Sequence, residues 1–179
     1  MKMESMNEIT YRTLTKQDHP VIESLISDSF HLDQYVPEPR VLAQLKHAYL
    51  QSCLAEQTFA CTAERGGKPV GIIMCNAKSR YRLLSHLPSL WTTLWHQLRM
   101  TAASRRYRCS TESFHQMHRI YHSLTEGRTH RYDGVLTLFA VDQNCRGTGI
   151  GRELLRQAEA YLNGCGVRRI YLYTDSTCN

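Results

Sequence analysis

Arg146-Gly147-Thr148-Gly149-Ile150-Gly151 is the stretch of this chain best able to do chemistry. Its three glycines leave backbone N–H groups uncovered just where the following residues take on helical spacing. A helix's unpaired first-turn donors and its dipole both favour an anion at that end. Arg146 and Arg152 add permanently charged, forked donors suited to phosphate oxygens. Glycine spacing by itself fits equally well a tight turn that needs glycine for its backbone angles. The arginines and the strand-loop-helix context favour a phosphate cradle. The loop lacks the Gly-Lys-Ser/Thr ending of a P-loop. Its G-x-G-x-G spacing also comes too late in the chain for a dinucleotide fingerprint, which opens a series of βα units.

Two elements must hold that loop. Val135 to Val141 is a continuous apolar run bounded by Asp133-Gly134 and Asp142-Gln143-Asn144, the pattern of a buried strand. After the loop, Ile150, Leu154, Leu155, Ala158 and Leu162 share one helical face, and Gly164 and Gly166 supply the stop.

Strand, loop and helix together resemble the GNAT acetyltransferase superfamily. Arg146 to Gly151 matches its R/Q-x-x-G-x-G/A motif, and Phe139-Ala140-Val141-Asp142 matches the strand end that precedes it. The resemblance implies a mixed α/β sheet of the acyl-CoA N-acyltransferase type, with acetyl-CoA as co-substrate. It implies that Arg146, Gly147, Thr148, Gly149, Ile150, Gly151 and Arg152 hold the pyrophosphate. Phe139, Ala140, Val141 and Asn179 would line the pantetheine arm. The reaction implied is direct transfer of an acetyl group to a primary amine, on a small molecule or a peptide. For the base that takes the amine's proton, the resemblance suggests Asp133, at the start of the fourth strand, and Asp33, beside the acceptor site. His130 is a third candidate because its ordinary pKa suits the task.

The remaining elements fit one domain over residues 1–179. Ile9 to Leu14 alternates as a first strand, and Thr15-Lys16-Gln17-Asp18 reads as a helix start before Val21, Ile22, Leu25, Ile26 and Phe30. Pro37 and Pro39 break the chain, and Val41 to Leu54 resumes a helical stripe. Thr58 to Glu64 and Val70 to Cys75 flank Arg65-Gly66-Gly67-Lys68 as a hairpin. Residues 80–131 are too long for a structureless loop. Apolar residues at helical spacing from Leu83 to Leu98 and from Phe114 to Leu124 predict a helical hairpin inserted between the third and fourth strands. Arg168 to Tyr173 predicts a fifth strand parallel to the fourth. In the family another helix, carrying a tyrosine acid, and two strands follow. Their absence after Asn179 is expected to leave a bare sheet edge and a less active chain, and exchange between identical chains is one route to a dimer.

Composition narrows the classes further. No apolar run of about eighteen residues exists, so no membrane-spanning helix is expected, and the N-terminus lacks a signal-peptide core. Seven cysteines without a C-x-x-C pair read as reduced small hydrophobes in a cytoplasmic protein. His115, His118 and His122 share a helix face, but no carboxylate or cysteine joins them at ligand spacing, so no metal is expected. Nine arginines against two glutamates fall between Arg80 and Arg131, in a chain whose net charge is +6. Such a rim disfavours polycationic acceptors. Arg105-Arg106-Tyr107-Arg108 is the only nucleic-acid-like cluster, and with no accompanying motif a nucleic-acid partner is not expected. The alternative to an enzyme is an acyl-CoA-binding module or inactive family member.

Overall fold

Alternation and turn chemistry set the sheet. In this computed structural model, which describes residues 8–36, 38–80 and 131–174, β1 (Ile9–Arg12) pairs antiparallel with β2 (Phe59–Arg65). β2 turns through Gly66 and Gly67 into β3 (Lys68–Ala77). Those glycines have φ of 55° and 81°, the left-handed geometry that a two-residue hairpin turn requires. β4 (Gly134–Val141) pairs antiparallel with β3, and β5 (Ile170–Leu172) runs parallel to β4. The five strands lie in sequence order. A parallel neighbour demands a crossover, and α4 (Ile150–Gly164) supplies it.

Helices cover both faces. α1 (His19–Phe30), the single turn α2 (Leu32–Tyr35) and α3 (Pro39–Glu56) occupy one side. There Ile22, Ile26, Leu45 and Leu50 pack with Ile72, Met74, Leu138 and Ala140. On the other side Ile150, Leu154, Ala158 and Leu162 of α4 meet Cys61, Ala63, Ile73 and Cys75. Each large aliphatic buried this way contributes about 1.5–3 kcal/mol. α4 lies very close to the sheet. A Cβ on Gly71 would come within 3.1 Å of Leu154, and one on Gly151 within 3.3 Å of the Phe139 ring.

The expected start of α1 is a short 3₁₀ turn, Lys16–Asp18, fastened by charge. Asp18 accepts from the Thr15 amide and hydroxyl, each at 2.8 Å, and from both ends of the Arg12 guanidinium at 2.7 and 2.8 Å. Arg12 also donates from Nε to Glu64 at 2.7 Å, so one side chain ties β1, β2 and the start of α1 together. These donors hold the Asp18 carboxyl well below the usual carboxylate range. α2 was not foreseen. It follows His31, which takes the left-handed conformation at φ 49° and turns the chain out of α1.

The predicted helical hairpin falls almost wholly on residues outside those described, as do His115, His118, His122 and Arg105 to Arg108. The structure does fix where that segment leaves and returns. Ala77 pairs with Gly134, and the Lys78 amide donates to the Asp133 carbonyl at 3.0 Å, so its two ends are neighbours on adjacent strands.

Candidate functional site

β4 changes partners halfway along its length. Its first three residues pair with β5, Gly134 with Ile170, Val135 with Tyr171 and Leu136 with Leu172. Pairing stops there, so among the described residues nothing pairs with the β5-side rim of β4 from Thr137 to Val141, hereafter the open rim. On the other side the register with β3 slips between Met74 and Cys75, leaving Thr137 as an extra residue, a β-bulge. A bulge bends its strand and increases the local twist, which separates the upper half of β4 from β5.

Hydrogen-bond parity shows which groups line the opening. The Asp142 amide donates to the Val70 carbonyl of β3 at 2.9 Å. Antiparallel alternation then turns the Leu138 and Ala140 amides to β3, and the Phe139 and Val141 amides to the open rim. The Ala140 amide thus faces away from that rim, and its side chain is buried under α1 and α3. Phe139 and Val141 place their side chains on the opposite face, against the start of α4.

Immediately above the open rim comes the glycine loop. Asp142 accepts from the Asn144 amide at 2.8 Å, and a 3₁₀ turn over Gln143–Cys145 buries Cys145. The Thr148 hydroxyl donates back to the Cys145 carbonyl at 2.6 Å, and Arg146 Nε approaches the Val141 carbonyl at 3.4 Å. Gly147 and Gly149 stand at φ 76° and 89°, where an L side chain is strained, and a Cβ on either would face open space. Gly149 begins α4 without a side-chain cap, and the helix's first backbone bond is from the Glu153 amide to the Gly149 carbonyl. The amides of Gly149, Ile150, Gly151 and Arg152 thus have no intrahelical acceptor. Glu153 is the one acidic group in that turn. Arg156 and Gln157 engage its carboxylate at 2.6 and 3.0 Å, and these donors lower its pKa to about 2. Arg152 is exposed beside the uncovered amides.

The loop and the open rim form one continuous run of donors, a glycine cradle leading into an unpaired strand edge. Such a run fits a diphosphate joined to an extended amide-containing arm.

The base candidates lie apart. The exposed Asp133 carboxylate accepts from the Arg168 and Arg169 amides at 3.1 and 3.2 Å, which lowers its pKa and anchors the start of β5. Asp33 is exposed in the single turn of α2. His130 and Asn179 lie outside the described residues.

A family model for the acetyltransferase (GNAT) family matches residues 21–179. This chain belongs to that family. It is an acetyl-CoA-dependent acetyltransferase of mixed α/β GNAT-like fold. Among solved structures, it is similar to a GNAT family acetyltransferase from Brucella melitensis in complex with acetyl-CoA. That likeness is at 16% identity and a TM-score of 0.50, covering 96% of this chain and 79% of the other. A Pyrococcus horikoshii OT3 protein matches at 18% identity and a TM-score of 0.57, over 95% of this chain and 80% of its own. A GCN5-related N-acetyltransferase from Ralstonia eutropha JMP134 matches at 17% and 0.51, over 94% and 85%. At these identities the likeness is one of fold. No curated protein matches the chain.

Sequence reasoning missed the polar groups on the α1/α3 side of the bulge. Thr137 is the one polar residue in the run Val135–Val141, and that interruption was the available signal. Among the described residues no helix is long and apolar enough to cross a membrane.

Proposed function

We propose that this acetyltransferase moves the acetyl group directly to a primary amine on a small molecule or peptide, with no acetylated side chain in between. The observation that carries the reading is the open rim of β4 leading straight into the glycine cradle, which would hold one extended co-substrate along its length. Gly147 to Arg152 would take the pyrophosphate, with Arg146 beside them, and the Phe139 and Val141 amides would pair with the arm. A rim amide would face the thioester oxygen as negative charge develops there. Most of the acceleration would come from holding two reactants in position.

Direct transfer is supported by the thiols. Burial pushes Cys53 and Cys75 up to about 12, so neither offers a thiolate nucleophile at neutral pH. The described cysteines are free, which suits a reducing compartment such as the cytoplasm. Asp133 is disfavoured as a base, because the Arg168 and Arg169 amides stabilise its charged form and lower its pKa.

The test is release of free CoA from acetyl-CoA with benzylamine, n-butylamine, glycine and a peptide N-terminus. Formation of the N-acetyl product by sequential kinetics is expected. Ping-pong kinetics with acetyl trapped on the protein would overturn direct transfer. Tight acetyl-CoA binding without release to any amine would make the chain a binding module.

A further inference from the structure

α4 opens on the glycine cradle, and its first turn carries a carboxylate, Glu153, as well as the uncovered amides. That combination works against an anion site. Side chains lean toward the N-terminal end of their own helix, so an untethered Glu153 would reach back over the cradle. There it would repel a phosphate and compete for the same N–H groups, as the glutamate of a capping box does.

Glu153 is instead turned down the helix and held. Arg156 grips both carboxylate oxygens, with Nε donating to Oε2 at 2.7 Å and Nη2 donating to Oε1 at 2.6 Å. Gln157 Nε2 adds a third bond to Oε1 at 3.0 Å. The core sets the Gln157 amide in turn. Cys61 of β2, buried against α4, donates from Sγ to Gln157 Oε1 at 3.2 Å, which leaves the amide's NH2 end for Glu153. Burial raises the Cys61 pKa, so the thiol keeps the proton that this bond needs. A chain of bonds therefore runs from the sheet, through the second turn of α4, to the one acidic side chain in the cradle's turn. The Arg156 side chain is 66% exposed, and an exposed pair at this spacing contributes little to stability. Three donors on one carboxylate, anchored to a core residue, suit control of charge instead.

We propose that Arg156 and Gln157 are positioning residues for acetyl-CoA binding: they hold the Glu153 carboxylate neutralised and turned from the cradle, so that the phosphates meet its amides without a competing negative charge. The inference rests on the cradle reading and deepens it, because both residues act through Glu153 rather than by touching the co-substrate.

The experiment is a double-mutant cycle on acetyl-CoA affinity, by calorimetry at low and high salt, with thermal melts to confirm folding. Letting a carboxylate move from about 10 to about 6 Å from a phosphate, at an effective dielectric near 20, weakens binding by about sixfold. At low salt Arg156→Ala should therefore cost about sixfold more affinity when Glu153 is present than in the Glu153→Gln background. What loss remains in that background is the arginine's own long-range attraction, and the cycle removes it. The coupling should shrink at high salt, whereas damage to the helix end would persist. A second variant keeps the charge and gives up the grip. Arg156→Lys with Gln157→Met should also weaken binding severalfold, again only when Glu153 is present. Equal losses with and without Glu153, or no loss in either variant, would overturn the assignment while binding by the wild type leaves the cradle reading standing. Failure of the wild type to bind acetyl-CoA would overturn the cradle reading, and the role of Arg156 and Gln157 with it.

Discussion

Replacing Gly149 by aspartate tests the proposed phosphate cradle with a charge of the same sign as its proposed guest. Gly149 stands at φ 89° and ψ −6°, and its missing Cβ would face open space. Any L residue there costs about 1–2 kcal/mol of backbone strain. Asparagine and aspartate have the same shape and both tolerate this region better than most residues, so that strain is common to the pair. They differ in charge. A carboxylate about 5 Å from one phosphate charge, at an effective dielectric near 20, is repelled by about 3 kcal/mol. That is about a hundredfold in affinity. Gly149→Asp should therefore bind acetyl-CoA about a hundredfold more weakly than Gly149→Asn, and the gap should narrow as salt is raised. Isothermal titration calorimetry at low and high salt, with thermal melts to confirm that both variants fold, measures it. Equal affinity of the folded Asp and Asn variants would refute the claim that an anion sits on these amides.

Asp18→Asn should destabilise the fold by about 2–3 kcal/mol, because Asp18 is buried and its loss weakens charge-assisted bonds to Arg12. Since Asp18 has a depressed folded pKa, its contribution is present above the unfolded value of about 4 and fades as pH falls below it. Urea melts of wild type and variant should converge in acid. Gly134→Ala puts a Cβ 2.7 Å from the Asn76 carbonyl oxygen, so β3 and β4 must shift apart. A loss of about 1–3 kcal/mol in urea unfolding is expected. Asp133→Ala frees the Arg168 and Arg169 amides that hold the start of β5. It should weaken acetyl-CoA binding and leave the pH profile of turnover in place, and loss of a pH limb would instead mark Asp133 as the base.

Local patterns were legible from the residues alone. The run Val135–Val141, the face Ile150–Leu162 and the three glycines between them mark a strand, a helix and the loop that joins them. Each depends on neighbours a few positions apart. What was hidden depends on pairing. One extra residue at Thr137 leaves no mark on an apolar run, yet it decides which amides face the opening. The Arg12 tie joins residues 6 and 52 positions away, a relation that no window reveals. The element ends also moved for physical reasons. The fifth strand, expected from Arg168 to Tyr173, pairs only over Ile170–Leu172, because β4 bends away from it.

That short pairing has a mechanical consequence. Among the described residues β5 is held to the sheet by three register pairs, the backbone bonds at Arg169 and the Asp133 latch, while β2, β3 and β4 share seven-pair ladders. The strand is a leaf hinged at one end. Elements with so few shared bonds open at free energies far below that of global unfolding. Amide exchange in β5 should then run ahead of exchange in β3, and a molecule bridging the open rim would slow it by joining the free end of the leaf to its frame.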